Sequence, residues 1–272
     1  FPAEEPERPP TPQPKTTVFE RGTHHKTAPE TWSTIKITLV GSHPLWGHYL
    51  WNAARAFAKF LDENPRLYCG RNVLELGAGG GLPGLLAAKN GARQVLLTDY
   101  PDTNLLKNLE KNVADNDCGA STSVLVSLFY SHCSLPDHVC VQGYVWGHPM
   151  GPLLDHIHVS PADSNKYDLI ILSDLVFNHS EHEALLKTCD LCLSTSVINL
   201  YNEAPCVLVF YTHHRPHLAQ KDLQFFEKAR NLGWICKEIL QERFQPMFPD
   251  DPGDEKVRAV VHGWKLTRRL LV

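Results

Sequence analysis

The stretch from Val73 to Asp99 constrains this chain more than any other. It reads Val73-Leu74-Glu75-Leu76-Gly77-Ala78-Gly79-Gly80-Gly81-Leu82-Pro83-Gly84, then a short apolar segment, then Val95-Leu96-Leu97-Thr98-Asp99. Val73–Leu76 has the pattern of a buried strand and runs straight into a glycine turn. Pro83 suits the first turn of a helix, where its missing N–H would have had no partner. Leu82, Leu85, Leu86 and Ala88 give that helix an apolar face, and Gly91 is its expected stop. Val95–Leu97 is a second strand, and it ends on a carboxylate. The unit is strand–turn–helix–strand, which holds a nucleotide-like ligand at the strand tips.

Each residue type there has a physical task. Glycines take φ > 0 and let a ligand approach without meeting a Cβ. An acid at the end of the second strand, about twenty residues past the glycines, can accept both hydrogen bonds of a ribose diol. Asp99 stands at that spacing. Gly79 to Gly84 also satisfies the G-x-G-x-x-G string of dinucleotide-binding folds, so the string alone leaves the nucleotide open. The fuller pattern is Glu75-x-Gly77-x-Gly79-x-Gly81, with an acid inside the strand two residues before the first glycine. It resembles the first motif of class I S-adenosylmethionine-dependent methyltransferases. In that family the turn passes under the methionine and ribose of a cofactor that has no pyrophosphate.

The rest of the chain supplies a frame for that unit. Residues 1–32 hold seven of the twenty prolines and read as a flexible, Pro-rich arm, with one domain expected over 33–272. Thr34–Val40 alternates like a strand. Leu45–Leu61 carries an apolar stripe and is expected to be helical throughout. Asp102 is the expected cap of a helix through Leu105, Leu109 and Val113. Cys118–His138 has no clear pattern, and Val139–Val141 is a short strand. Tyr167–Asp174 is a near-continuous apolar strand, as a central parallel strand should be. A helix over Ser180–Leu193, a strand over Pro205–Tyr211 and a helix over Pro216–Leu232 follow. Ile235–Phe244 and Val257–Leu266 read as a closing antiparallel pair. This order predicts an α/β fold: a Rossmann-like seven-strand sheet with helices on both faces. A dehydrogenase would repeat a second βαβ half instead.

Composition narrows the partners. A net charge of −4 argues against a nucleic-acid surface and is compatible with a basic protein or peptide substrate. No stretch is apolar and long enough to span a membrane, and no signal-peptide pattern is read. The eight cysteines are scattered, several within apolar runs such as Pro205–Tyr211, the usage of reduced thiols in a cytoplasmic protein. Cys189-x-x-Cys192 lacks a second pair at zinc spacing. His213, His214 and His217 are interrupted by Arg215 and Pro216, so no metal site is expected.

Four further segments make the resemblance specific: Pro44-Leu45-Trp46-Gly47-His48-Tyr49-Leu50-Trp51-Asn52-Ala53, Thr98-Asp99-Tyr100-Pro101-Asp102, Gly143-Tyr144-Val145-Trp146-Gly147, and Leu172-Ser173-Asp174-Leu175-Val176-Phe177-Asn178-His179. Together they look like the family-16 branch of seven-strand methyltransferases. Within it they are most similar to the fungal group that methylates the N-terminus and adjacent lysine of translation elongation factor 1-alpha, once labelled nicotinamide N-methyltransferases. The resemblance implies S-adenosylmethionine as cofactor and that elongation factor as protein substrate, with a nicotinamide-type small molecule as the alternative. It also implies roles for residues. Trp51 would border the methionine end, Gly77, Ala78 and Gly79 would supply backbone contacts, and Asp99 would bind the ribose. Trp146 would stack near adenine, with Ser173 at a strand tip. Asp174 and Phe177 fall on the acid-x-x-aromatic motif at the substrate end. Many relatives have Tyr at the second position, so Phe177 carries no proton chemistry. A carboxylate such as Asp174 can position the amine and take its proton, directly or through water.

Overall fold

The computed structural model describes residues 12–22, 32–118, 138–157, 165–195 and 203–268. The Cys118–His138 segment, expected to be poorly patterned, lies almost entirely outside them. Seven strands form one sheet. They are β3 (Asn72–Leu76), β4 (Gln94–Asp99), β5 (Val139–Gly143), β6 (Leu169–Ser173), β7 (Cys206–Thr212), β8 (Trp234–Arg243) and β9 (Val260–Arg268). Their order is β5-β4-β3-β6-β7-β9-β8. The first five run parallel and β9 is antiparallel to both neighbours. The expected seven-strand sheet is therefore present, with the strand pair closing it at one edge.

Helices cover both faces. On one side lie α1 (Asn52–Glu63), α2 (Leu82–Lys89) and α3 (Thr103–Asp115), and on the other α4 (His182–Cys192) and α5 (Ala219–Asn231). In α1 the buried residues Phe57 and Leu61 face the sheet, where Phe57 stacks on Phe210 at 4.1 Å between ring centroids. Fully burying such a side chain stabilises the fold by roughly 1.5–3 kcal/mol. The opposite face is aromatic as well: Phe225 and Phe226 of α5 are buried, and Phe226 stacks on Trp264 of β9 at 4.3 Å. Asp102 caps α3 as expected, accepting from the backbone N–H of Asn104 and Leu105.

Two expectations are corrected. Helix α1 starts at Asn52 rather than Leu45, because Trp46 takes a left-handed φ of 62° that a helix cannot continue through. Within the stretch expected to be a flexible arm, Lys15–Glu20 forms a strand, β1, antiparallel to β2 (Thr34–Leu39) in a separate two-stranded sheet. Its order has a packing cause, since Phe19 rests on the core beneath β2, whose Ile35 and Ile37 are fully buried.

The other edge of β2 is closed by side chains. Asn112 of α3 accepts from the Thr38 N–H at 2.8 Å and donates to the Thr38 and Gly80 carbonyls at 2.8 and 3.1 Å. Asn116, one turn on, does the same for Lys36, accepting at 2.9 Å and donating at 2.7 Å. Asn108, one turn earlier, donates to the Thr38 carbonyl at 2.8 Å. Residues four apart share a helix face, so this asparagine row stands in for a neighbouring strand. It also holds β2 over the glycine turn: a Cβ on Gly80 would meet Ile37 Cγ2 at 2.5 Å.

Candidate active site

The glycine turn sits at the tip of β3. Gly77, Gly79 and Gly81 all take left-handed φ, at 60°, 55° and 77°. Leu175 and Trp146 cover Gly77, where a Cβ would meet Leu175 Cδ2 at 2.7 Å and Trp146 Cζ2 at 3.1 Å. Gly79 differs, because a Cβ built there meets nothing within 4 Å. Its side of the turn is open, as a ligand passing over the backbone requires. Ala78 ties the turn to the next strand, its N–H donating to the Thr98 carbonyl at 2.8 Å.

Asp99, half-buried at the end of β4, clamps the same turn. Its Oδ2 accepts from the Gly79 N–H and its Oδ1 from the Tyr100 N–H, each at 2.7 Å. Burial pushes its pKa up, and those two hydrogen bonds pull against the rise. Beneath the turn Glu75 is fully buried. Its Oε2 accepts from the Gly84 N–H at 2.8 Å, and its Oε1 has no hydrogen-bond partner among the described residues. Burial pushes its carboxyl up to about 8, with the Gly84 bond opposing and the nearby Asp99 charge adding. Gly84 has to be glycine for this approach, since a Cβ would stand 2.6 Å from Glu75 Oε2.

The second half of the site gathers at the tips of β6 and β7. Ser173 ends β6, and Asp174 follows it with φ 58°, a costly conformation for a residue with a side chain. Asp174 is 4 % exposed. Its Oδ2 accepts from His214 Nε2 at 2.9 Å and its Oδ1 from the Thr212 N–H at 3.3 Å. The Trp51 ring lies 4.7 Å from the His214 ring. Tyr49 and Phe248 pack on Trp51 at 5.4 and 6.0 Å, extending the aromatic wall. Phe177 is half-buried, and its carbonyl accepts from Arg215 Nη2 at 3.4 Å.

The structure thus places Gly77, Ala78, Gly79, Asp99 and Trp146 around one turn, and Trp51, Ser173, Asp174 and Phe177 around the neighbouring strand tips. Leu175, next to Asp174, packs on Gly77 and joins the two groups. Sequence reasoning missed His214, Tyr49 and Phe248 as parts of this site. Spacing alone presents the histidines after β7 only as candidate metal ligands, and His213 and His214 each instead meet a carboxylate from a different segment. His213 Nδ1 pairs with Asp222 at 2.6 Å, which also takes His179 Nε2 at 2.7 Å. Among the described residues, no three His, Cys, Asp or Glu side chains gather as a metal site, and no helix is long and apolar enough to cross a membrane.

The lysine methyltransferase family profile matches residues 34–231. The chain is similar to the protein N-terminal and lysine N-methyltransferase EFM7 of Cryptococcus neoformans, with 43 % identity over 88 % of this chain and 78 % of the relative. The Schizosaccharomyces pombe protein of that name is 41 % identical over 97 % and 93 %, and the Eremothecium gossypii one 45 % over 86 % and 80 %. Among solved structures, one from Pyrococcus horikoshii with a provisional transferase description superposes with a TM-score of 0.50 at 14 % identity, over 86 % of this chain and 70 % of that one. At that identity the likeness concerns the fold alone.

Proposed function

The chain belongs to the lysine methyltransferase family, and from that premise we propose that it moves a methyl group from S-adenosylmethionine to the free N-terminal glycine of translation elongation factor 1-alpha and to the lysine beside it. The observation that carries the cofactor half is the open left-handed Gly79 beside Asp99, a cradle that a Cβ would fill. Gly77, Ala78 and Gly79 offer backbone to the cofactor, Asp99 its carboxylate to the ribose, and Trp146 an aromatic face beside the turn. When bound, S-adenosylmethionine supplies a methyl group already activated on a sulfonium.

The chain's own residues then have to align a neutral amine and exclude water. An N-terminal amine, with a pKa near 8, is partly neutral at pH 7, whereas lysine near 10.4 must lose its proton at a cost of about 5 kcal/mol. Asp174 would orient the acceptor end of the site, with Phe177 walling the amine channel and Trp51 bordering it on the side of the cofactor's methionine end. Aromatic faces also favour a cationic, methylated product. The protein substrate is supported by the relatives' printed activity, protein N-terminal and lysine methylation. A cytoplasmic setting is proposed with it, in keeping with the free thiols of Cys189, Cys192 and Cys206.

The test offers the protein a peptide bearing the factor's N-terminus, the same peptide acetylated, and nicotinamide, with mass spectrometry as readout. Methylation of the free peptide is expected, with less on the acetylated one. Methylation of nicotinamide alone would overturn the protein-substrate reading.

A further inference from the structure

Two adjacent histidines leave the end of β7 in opposite directions. His213 is buried and meets Asp222, a carboxylate already shared with His179. His214 meets Asp174 at the strand tips, and 17 % of its side chain stays exposed. Its own backbone N–H donates to the Thr212 carbonyl at 2.9 Å, which fixes the turn that presents it. Asp174 is itself held by the Thr212 N–H and by its buried setting. The carboxylate accepts, so Nε2 of a neutral His214 must carry the hydrogen, and Nδ1 becomes the ring's base. The indole of Trp51 shields the ring without covering it fully.

We propose that His214 is a catalytic residue, with Nδ1 taking the proton that the acceptor ammonium must lose while Asp174 orients the ring through Nε2. This rests on the methyl-transfer reading and assigns a base to it. The step balances without a further reactant. The proton passes from the ammonium nitrogen to Nδ1, and the electron pair of that N–H bond stays on nitrogen. That pair forms the N–C bond to the methyl carbon as the C–S bond breaks, leaving its electrons on sulfur. His214 then returns the proton to solvent. The charged groups that act on the imidazole are Asp174, in direct contact, and Asp222 and Arg215 through their charge alone. Burial works to lower its pKa, but the Asp174 charge and hydrogen bond outweigh burial, Asp222 adds to them, and Arg215 opposes, so His214 titrates above the ordinary histidine value. A base must be unprotonated to act, so activity should rise with pH through that raised midpoint.

Two measurements on the full chain test this. The first needs no turnover: proton NMR of the His214 C2 signal, identified by its loss in His214→Gln. Its midpoint is expected above the free-histidine value and should drop in Asp174→Asn; a midpoint indifferent to Asp174→Asn would overturn the pairing. The second is the pH profile of kcat/KM on an acetylated lysine peptide, whose amine does not titrate in the window. Wild type should rise to a plateau. His214→Gln should lose roughly 10²–10⁴-fold in rate together with that rise, and imidazole in the buffer should restore part of the rate of His214→Ala. Calorimetric binding of S-adenosylhomocysteine to both variants shows that they are folded. Wild-type rate within about threefold in His214→Gln, with the pH rise intact, would overturn the proposal. Failure of the wild type to methylate any peptide would instead sink the methyl-transfer reading beneath it.

Discussion

The two halves of this site are built on different plans. The cofactor half is mostly one contiguous piece, Glu75 to Asp99, with Trp146 packed over Gly77, and it offers mostly backbone: three left-handed glycines and one carboxylate that holds Gly79. The acceptor half draws Trp51 from the start of α1, Asp174 from the end of β6, His214 from beyond β7 and Phe248 from the β8–β9 connection. It acts through side chains that only the folded sheet brings together. Backbone recognition depends on where side chains are missing, which fixes spacing tightly. Side-chain recognition depends on where strands end, which leaves spacing free.

The contrast is tested most severely at Asp174. Asp174→Asn keeps the volume, and asparagine tolerates the left-handed φ of 58° better than most residues. It removes the charge that pairs with His214. The expected outcome is a loss of roughly 10²–10⁴-fold in kcat, with S-adenosylhomocysteine affinity unchanged by calorimetry. A parallel fall in that affinity would mean that the halves are not energetically separate.

The same difference explains what could be read from the chain. The succession of strands and helices along the chain and the Val73–Asp99 unit are legible because periodicity and glycine spacing are local properties, whereas the order of strands within the sheet is not local. Asp174 was legible as the end of an apolar run, and its family motif agreed. His214 was not, because its partner lies forty residues away and meets it only through the parallel pairing of β6 and β7. The asparagine row on α3 was in plain view at 108, 112 and 116, a four-residue repeat on one helix face. Its meaning needed β2, whose free edge it closes. Hydrophobic periodicity alone starts α1 too early, at Leu45, because the left-handed backbone at Trp46 leaves no trace in it.

A second test compares protonation in the two halves. His214 and Glu75 both have raised pKa values, for different reasons: Asp174 pairs with the histidine, whereas burial is the main cause that drives Glu75 to about 8. The folded protein therefore holds a proton on Glu75 that the unfolded chain, with its ordinary carboxyl near 4.5, has released across the intervening range. Folding stability from this group is complete below the unfolded value and is lost as pH rises toward 8, at up to about 1.4 kcal/mol per pH unit. Urea unfolding of Glu75→Gln, which is neutral at every pH, should show a flatter profile between those limits. An unchanged slope would place the titrating group elsewhere.

The smallest expected effect is at Asp99, and it sharpens the comparison from the other side. Asp99→Ala removes the proposed ribose contact and also frees the Gly79 and Tyr100 N–H groups that the carboxylate now satisfies. Hydrogen bonds lost between a ligand and a charged group are worth on the order of 1–3 kcal/mol, which is several-fold to a hundredfold in affinity. Calorimetry with S-adenosylhomocysteine should show that weakening. At saturating S-adenosylmethionine the kcat should stay near wild type, because Asp99 holds the cofactor and takes no part in moving the acceptor's proton. Asp99→Asn narrows the two causes, since its single amide oxygen can still accept from Gly79 but not from Tyr100 as well, and the charge toward the ribose is gone. If Asn restores the affinity, the carboxylate matters as a clamp on the turn. If Asn binds as weakly as Ala, the Gly79 bond is not the cause, and the loss belongs to the ribose contact or the Tyr100 bond. An affinity unchanged in both variants would remove Asp99 from the cofactor half and leave the glycine turn to hold the ligand alone.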